Sequence, residues 1–87
     1  MNKPLISICI PTFNRATKLH NCLKSIEIAN INNFDDLEIC ISDNASNDDT
    51  SQVIELFKKK IAINYNKNKS NLGIPKNFLK VVSMAKG

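Results

Sequence analysis

Eighty-seven residues, 43% hydrophobic and 23% charged, are enough for one small domain and too few for two. Two Gly and three Pro exclude a collagen-like or linker-like chain, and the longest nearly apolar stretch, Leu5 to Ile10, is far shorter than the roughly 20 residues that span a bilayer. The net charge of +4 is uneven: residues 1–55 hold all eight acids and sum to −4, whereas residues 56–87 hold eight lysines and no acid.

Leu5-Ile6-Ser7-Ile8-Cys9-Ile10 carries apolar residues on both parities, which predicts a strand covered on both faces in a parallel sheet and ended by Pro11. From Ala16 to about Ile28 the apolar residues Ala16, Leu19, Leu23 and Ile26 recur at helical spacing, with Cys22 beside them. A polar loop, Asn30 to Asp36, separates this helix from a second predicted strand, Leu37 to Ser42, which Asp43-Asn44 should stop. Asp43 through Thr50 is a cluster of Asp, Asn and Ser, whose short side chains bond nearby amides and favour turns and N-caps. A helix is expected next, with Val53, Ile54 and Phe57 inward and Lys58-Lys59-Lys60 at its carboxyl end. A third short strand near Ile61 to Tyr65 precedes an Asn/Lys stretch at 66–71, read as solvated loop. Gly73 and Pro75 then open a third helix whose residues Phe78, Val81, Val82 and Ala85 form the expected core face, with Pro75 at the first helical position and Gly87 as the stop.

The order β-α-β-α-β-α predicts right-handed crossovers and a parallel α/β sheet with helices on its faces, half of a doubly wound fold. Such sheets bind ligands beyond the carboxyl ends of their strands. That directs attention to Pro11 to Arg15, Ser42 to Asp49 and Asn66 to Asn77. Cys9, Cys22 and Cys40 form no C-x-x-C pair and are read as buried small hydrophobes; His20 is read as a surface residue without metal partners.

The first loop brings together an aromatic ring (Phe13), hydrogen bonders (Thr12, Asn14) and a permanent cation (Arg15). That set suits a nucleotide, through stacking, helix-start amides and phosphate pairing. It equally suits a helix cap, a packed ring and a solvated Arg. Asp43 can accept a hydrogen bond from a pyrimidine edge, or can close its own turn on amides near Ser46.

Taken together, Ser7-Ile8-Cys9-Ile10-Pro11-Thr12-Phe13-Asn14-Arg15, Ile41 through Thr50, and Asn71-Leu72-Gly73 with Asn77 resemble the N-terminal part of family 2 glycosyltransferases. The first two loops are most similar to bacterial transferases that build surface polysaccharides, including the abequosyltransferase-like group. The resemblance spans residues 5–87. It implies a three-layer βαβαβα half of a Rossmann-like GT-A domain, a nucleotide-diphosphate sugar donor of UDP or CDP type, and a sugar or lipid-linked acceptor. It further implies that Pro11, Thr12, Phe13, Asn14 and Arg15 hold base and ribose, that Asp43 bonds the pyrimidine, and that Asn44 and Ser46 belong to the same nucleotide site. Asn71, Gly73 and Asn77 would border the donor site, with Lys76 near the diphosphate. Phe13 stands where Tyr is frequent. The family's Asp-x-Asp motif, which holds Mg²⁺ or Mn²⁺, is absent from these residues, and Asp35-Asp36 and Asp48-Asp49 are read as loop and helix-start carboxylates.

The expectation is therefore the nucleotide-binding half of a transferase, cut before the metal motif and inactive alone. The family implies a cytoplasmic location at the inner face of the membrane. Two other readings compete. One is a basic nucleic-acid-binding module, which would need aromatics among the lysines, where only Tyr65 and Phe78 occur. The other is a remnant of a gene truncated by a frameshift, folded partially or only as a homo-oligomer that covers its open sheet edge.

Overall fold

A computed structural model describes residues 6–29 and 37–86. Its elements are β1 (Ile6–Thr12), α1 (Ala16–Ala29), β2 (Leu37–Asp43), α2 (Thr50–Lys58), β3 (Ile63–Lys67) and α3 (Ile74–Ser83). The strands are parallel in the order β1-β2-β3, with Cys9 opposite Cys40 and Asp43 opposite both Thr12 and Lys67.

Every residue of the central strand β2 is buried. Alternation along a strand sends successive side chains to opposite faces. Leu37, Ile39 and Ile41 therefore enter one core with Leu19 and Leu23 of α1 and Val53, Ile54 and Phe57 of α2. Glu38, Cys40 and Ser42 meet the other layer, where α3 lies across β1 and β2. This second face is polar: Glu38 accepts hydrogen bonds from the Ser7 hydroxyl and the Lys86 amide, and Ser42 donates to Asn77. The layers are thus α1 and α2, the sheet, then α3, as the element order predicts.

Several boundaries differ from expectation for identifiable reasons. β1 runs through Pro11 to Thr12, because among the described strands it has a neighbour on one side only, and an edge strand tolerates a residue without an N–H. Nor is it covered on both faces as expected: Thr12 is its one buried residue, and the rest are half-buried or exposed. Asp43 completes β2 instead of stopping it. β3 starts two residues late, since the Lys60 and Ile61 amides both close back onto the Phe57 carbonyl and Ile61 fills the core from that turn. Asn66 and Lys67 consequently belong to the strand.

α3 departs most. Only Asn77 and Val81 are buried, while Phe78 and Val82, expected inward, are 54% and 48% exposed. The helix turns a narrow i, i+4 stripe toward a polar sheet face, and Ala85 lies beyond its end. Cys22 is exposed on the flank of α1, Cys9 is half-buried and only Cys40 is sealed, where burial and its neighbours Glu38 and Cys9 push its thiol up to about 12. His20 is half-buried with its ring edge-on to Phe57 at 5.3 Å. The readings for Leu5, the 30–36 loop with Asp35-Asp36, and Gly87 lie outside the described residues.

Candidate functional site

All three loops singled out above leave the carboxyl ends of β1, β2 and β3, and the fold brings them side by side. The first is stapled to the second. The Asn14 amide donates to Ser46 Oγ at 2.8 Å, the Asn47 amide donates to Asn14 Oδ1 at 2.9 Å, and the Ala16 amide donates to Asp48 Oδ2 at 3.1 Å. Asp48 thus supplies the acid that α1 lacks in its own first turn, where a negative charge is favourable. Its other oxygen accepts from the Thr50 amide and hydroxyl, and these bonds hold its carboxyl below the usual range. Two residues here have left-handed backbone: Asn14 at φ 49°, which Asn tolerates, and Ala45 at φ 67°, where a Cβ is strained.

Asp43 is fully buried. Its Oδ1 accepts from the Ser46 amide at 2.9 Å and its Oδ2 from the Tyr65 hydroxyl at 2.8 Å. This is the turn-closing arrangement that the sequence leaves open beside a base-binding one. Burial, together with the bond to Asp43, raises Tyr65 above its ordinary value of 10.0, against the opposing Ser51 contact, so the hydroxyl stays a donor.

The third loop is organised by amides. Asn44 Nδ2 donates to Asn71 Oδ1 at 2.7 Å, while Asn44 Oδ1 accepts from the Leu72 amide at 2.8 Å and from Asn68 Nδ2 at 3.1 Å. Asn71 Oδ1 also takes the Gly73 amide, and Gly73, at φ 86°, turns the chain into α3. Asn77 Nδ2 donates to the Ser42 carbonyl, and Asn77 Oδ1 accepts from Ser42 Oγ and Asn68 Nδ2. Asn66 Nδ2 donates to Asn68 Oδ1 and, at 3.3 Å, to Ser42 Oγ. Asn66 and Asn68 are therefore half-buried members of a polar net and not solvated loop, contrary to the sequence reading. The signal that could have found them was compositional: amides clustered where a strand end meets a helix start seldom stay unpaired.

Between these loops lies a cleft of about 240 Å³ lined by Pro11, Thr12, Phe13, Arg15, Asn44, Ile74 and Asn77. Pro11, Thr12, Phe13, Arg15, Asn44 and Asn77 are among the expected site residues, and Ile74 lies within the expected 66–77 span without having been singled out. Phe13 is 42% exposed and its ring is a free apolar wall. Ser46 lies behind the cleft, bound to Asn14, and Lys76 points from the exposed surface of the first turn of α3, not from the lining. No acidic side chain lines the cleft. Among the described residues no three His, Cys, Asp or Glu side chains stand close enough to hold a metal ion, and Asp48 accepts from the Ala16 and Thr50 amides and the Thr50 hydroxyl. Among them, too, no helix is long and apolar enough to cross a membrane.

Comparison with known proteins gives a consistent result. The family model described as Glycosyl transferase family 2 matches residues 7–87. Abequosyltransferase RfbV of Salmonella typhimurium is 48% identical over 85 residues, which are 95% of this chain and 25% of that protein. GalNAc(5)-diNAcBac-PP-undecaprenol beta-1,3-glucosyltransferase of Campylobacter jejuni is 43% identical over 56 residues, 64% of this chain and 17% of that protein. Among solved structures, S. aureus TarS 1-349 in complex with UDP superposes with a TM-score of 0.79 at 24% identity, covering 93% of this chain and 24% of that one. Mannosyltransferase PcManGT from Pyrobaculum calidifontis, solved with GDP-Man and Mn2+, superposes with a TM-score of 0.69 at 21% identity, covering 98% of this chain and 25% of that one. The fold is that of these GT-A transferases. The chain spans about a quarter or less of the length of these relatives.

Proposed function

The chain belongs to glycosyl transferase family 2, and from that premise we propose that its three loops form the nucleotide-recognition half of a sugar-transfer site, taking a pyrimidine nucleoside diphosphate as the donor's handle. The observation that carries this reading is the cleft itself, with an exposed aromatic wall, Phe13, and the permanent cation Arg15 at the carboxyl ends of the strands. Open α/β sheets hold ligands there. Its volume, about 240 Å³, falls below the roughly 300–1,000 Å³ of pockets that enclose a whole small ligand. It suits a base and ribose, leaving diphosphate and sugar outside.

In this reading the base stacks on Phe13, Thr12 and Arg15 take ribose and phosphate, and Asp43 accepts from the pyrimidine edge. Asp43 is sealed behind Tyr65 and the Ser46 turn, so the base engages it only when the Tyr65 hydroxyl yields Oδ2. Asn44, Asn71, Gly73 and Asn77 act by holding the walls, since the Asn44 and Asn71 side chains and the Gly73 amide are bonded to one another and the Asn77 side chain to Ser42 and Asn68. The relatives' names support sugar transfer as the reaction, with abequosyltransferase RfbV covering nearly all of this chain. Deprotonating an acceptor hydroxyl needs a base, and the lining offers no carboxylate, so the 87 residues by themselves are proposed to bind and not to turn over donor. A divalent cation shared between one or two carboxylates and the donor's diphosphate is compatible with this reading, although no group of three ligating side chains stands ready for one among the described residues.

Titration of the chain with uridine, cytidine and guanosine diphosphates, followed by two-dimensional amide NMR, tests this. Saturable shifts at Phe13, Asn14 and Asp43 with a pyrimidine nucleotide are expected, and Phe13→Ala should weaken binding by about 1–3 kcal/mol, the usual worth of one base stacked on an aromatic ring. Absence of saturable shifts at these residues with any of the three nucleotides refutes the reading.

A further inference from the structure

Beside and beneath the cleft, side chains at the carboxyl ends of β2 and β3 form a connected amide net. Five asparagines and one serine take part: Asn44, Asn66, Asn68, Asn71, Asn77 and Ser42. Buried amide networks are costly when half satisfied and rigid when complete. Here no buried side-chain nitrogen or oxygen among the described residues is left without a partner.

The connectivity of the net is directional. Asn44, 4% exposed, belongs to the cleft wall carried by β2; Asn77, 3% exposed, belongs to the wall carried by α3. Asn68 is half-buried and does not line the cleft, yet its Nδ2 donates to Asn44 Oδ1 at 3.1 Å and to Asn77 Oδ1 at 3.0 Å, joining the two walls through one amide group. Asn66 orients that group by donating to Asn68 Oδ1 at 2.8 Å. Ile74, on the same helix three residues before Asn77, is the wall residue whose place depends on this anchorage.

We propose that Asn66 and Asn68 are positioning residues that set the distance between the β2 and α3 walls of the cleft, and thereby its affinity for a nucleoside diphosphate, without touching the ligand. The proposal rests on the nucleotide reading above for its ligand but not for its geometry. Asn68→Asp keeps the shape and the Oδ1 acceptor, while replacing the bridging donor with an acceptor that faces two further acceptors.

The test uses the whole 87-residue chain with uridine diphosphate as probe. Asn68→Asp is expected to weaken binding about fivefold or more, as loss of a bridging hydrogen bond allows, and to shift the Leu72 and Gly73 amides, which bond to Asn44 and Asn71. Asn66→Ala, a milder truncation on a half-buried strand residue, should act in the same direction if the first variant fails to fold. Ile54→Val, a core change in α2 on the opposite layer, should lower stability yet leave affinity within about twofold, as distant sites do. Equal loss of affinity in Ile54→Val reduces the effect to general destabilisation and overturns the proposal. Wild-type affinity in the two asparagine variants, with unmoved Leu72 and Gly73 amides, also overturns it. If the unaltered chain binds no uridine diphosphate, the nucleotide reading fails by itself, and hydrogen exchange at Leu72 and Gly73 decides the geometry. Faster exchange in the asparagine variants supports the positioning role, and unchanged exchange removes it.

Discussion

Asp43 accepts the Ser46 amide and the Tyr65 hydroxyl while exposing none of its surface, so its first duty is to close the β2–α2 turn and to tie β3 to β2. A buried acceptor deprived of its donor costs about 1–3 kcal/mol. Tyr65→Phe is therefore expected to lower unfolding free energy by about that amount in urea titrations. The same change frees Oδ2 for a base, so nucleotide affinity should hold or rise in the variant. Loss of both stability and affinity would mean that the Tyr65 hydroxyl, and not Asp43, meets the ligand. Two bonded oxygens on one carboxylate are visible only in three dimensions, because Ser46 is near in sequence and Tyr65 is not. From the residues alone, the turn and the base were equal claimants.

At the level of the element, α3 shows where periodicity misleads. Phe78, Val81 and Val82 share helical spacing, but a helix lying over a polar strand face needs only a narrow stripe, and Asn77 with Val81 supplies it. Val81→Ala removes two fully buried methyl groups and is expected to cost about 2 kcal/mol. Phe78→Ser, at a site 54% exposed, should stay within about 0.5 kcal/mol. Thermal or denaturant unfolding of the pair checks the assignment, and a larger penalty at Phe78 would restore the sequence-based core face. That exposed ring, on a helix with Lys76 and Lys80, removes one objection to the nucleic-acid alternative, but a single aromatic is no stacking platform. Helices α1 and α2 behaved as their patterns predict, since Leu19, Leu23, Val53, Ile54 and Phe57 face β2 through its apolar parity.

Across the whole molecule the two faces of one sheet differ in chemistry, apolar toward α1 and α2 and polar toward α3. Glu38 anchors the polar layer. Burial alone would raise its carboxyl, but the Lys86 amide, the Ser7 hydroxyl and Cys40 outweigh it and hold it below 4.5. A carboxyl depressed in the folded state stabilises the fold above its unfolded value and loses that contribution as pH falls through the folded one. Glu38→Gln should therefore lower the urea midpoint at neutral pH, with the gap to the unaltered chain closing below about pH 4.5; a gap independent of pH would show that Glu38 acts by shape alone. The succession of strands and helices, the apolar layer and the three loops facing one end were legible in the sequence, because they follow from local periodicity and from the fixed hand of parallel crossovers. The edge position of β1, the commitment of Asp43 and the net around Asn66 and Asn68 were decided by tertiary structure. Each depends on which distant donor meets which acceptor, and a linear pattern carries no information about that pairing until the chain has closed on itself.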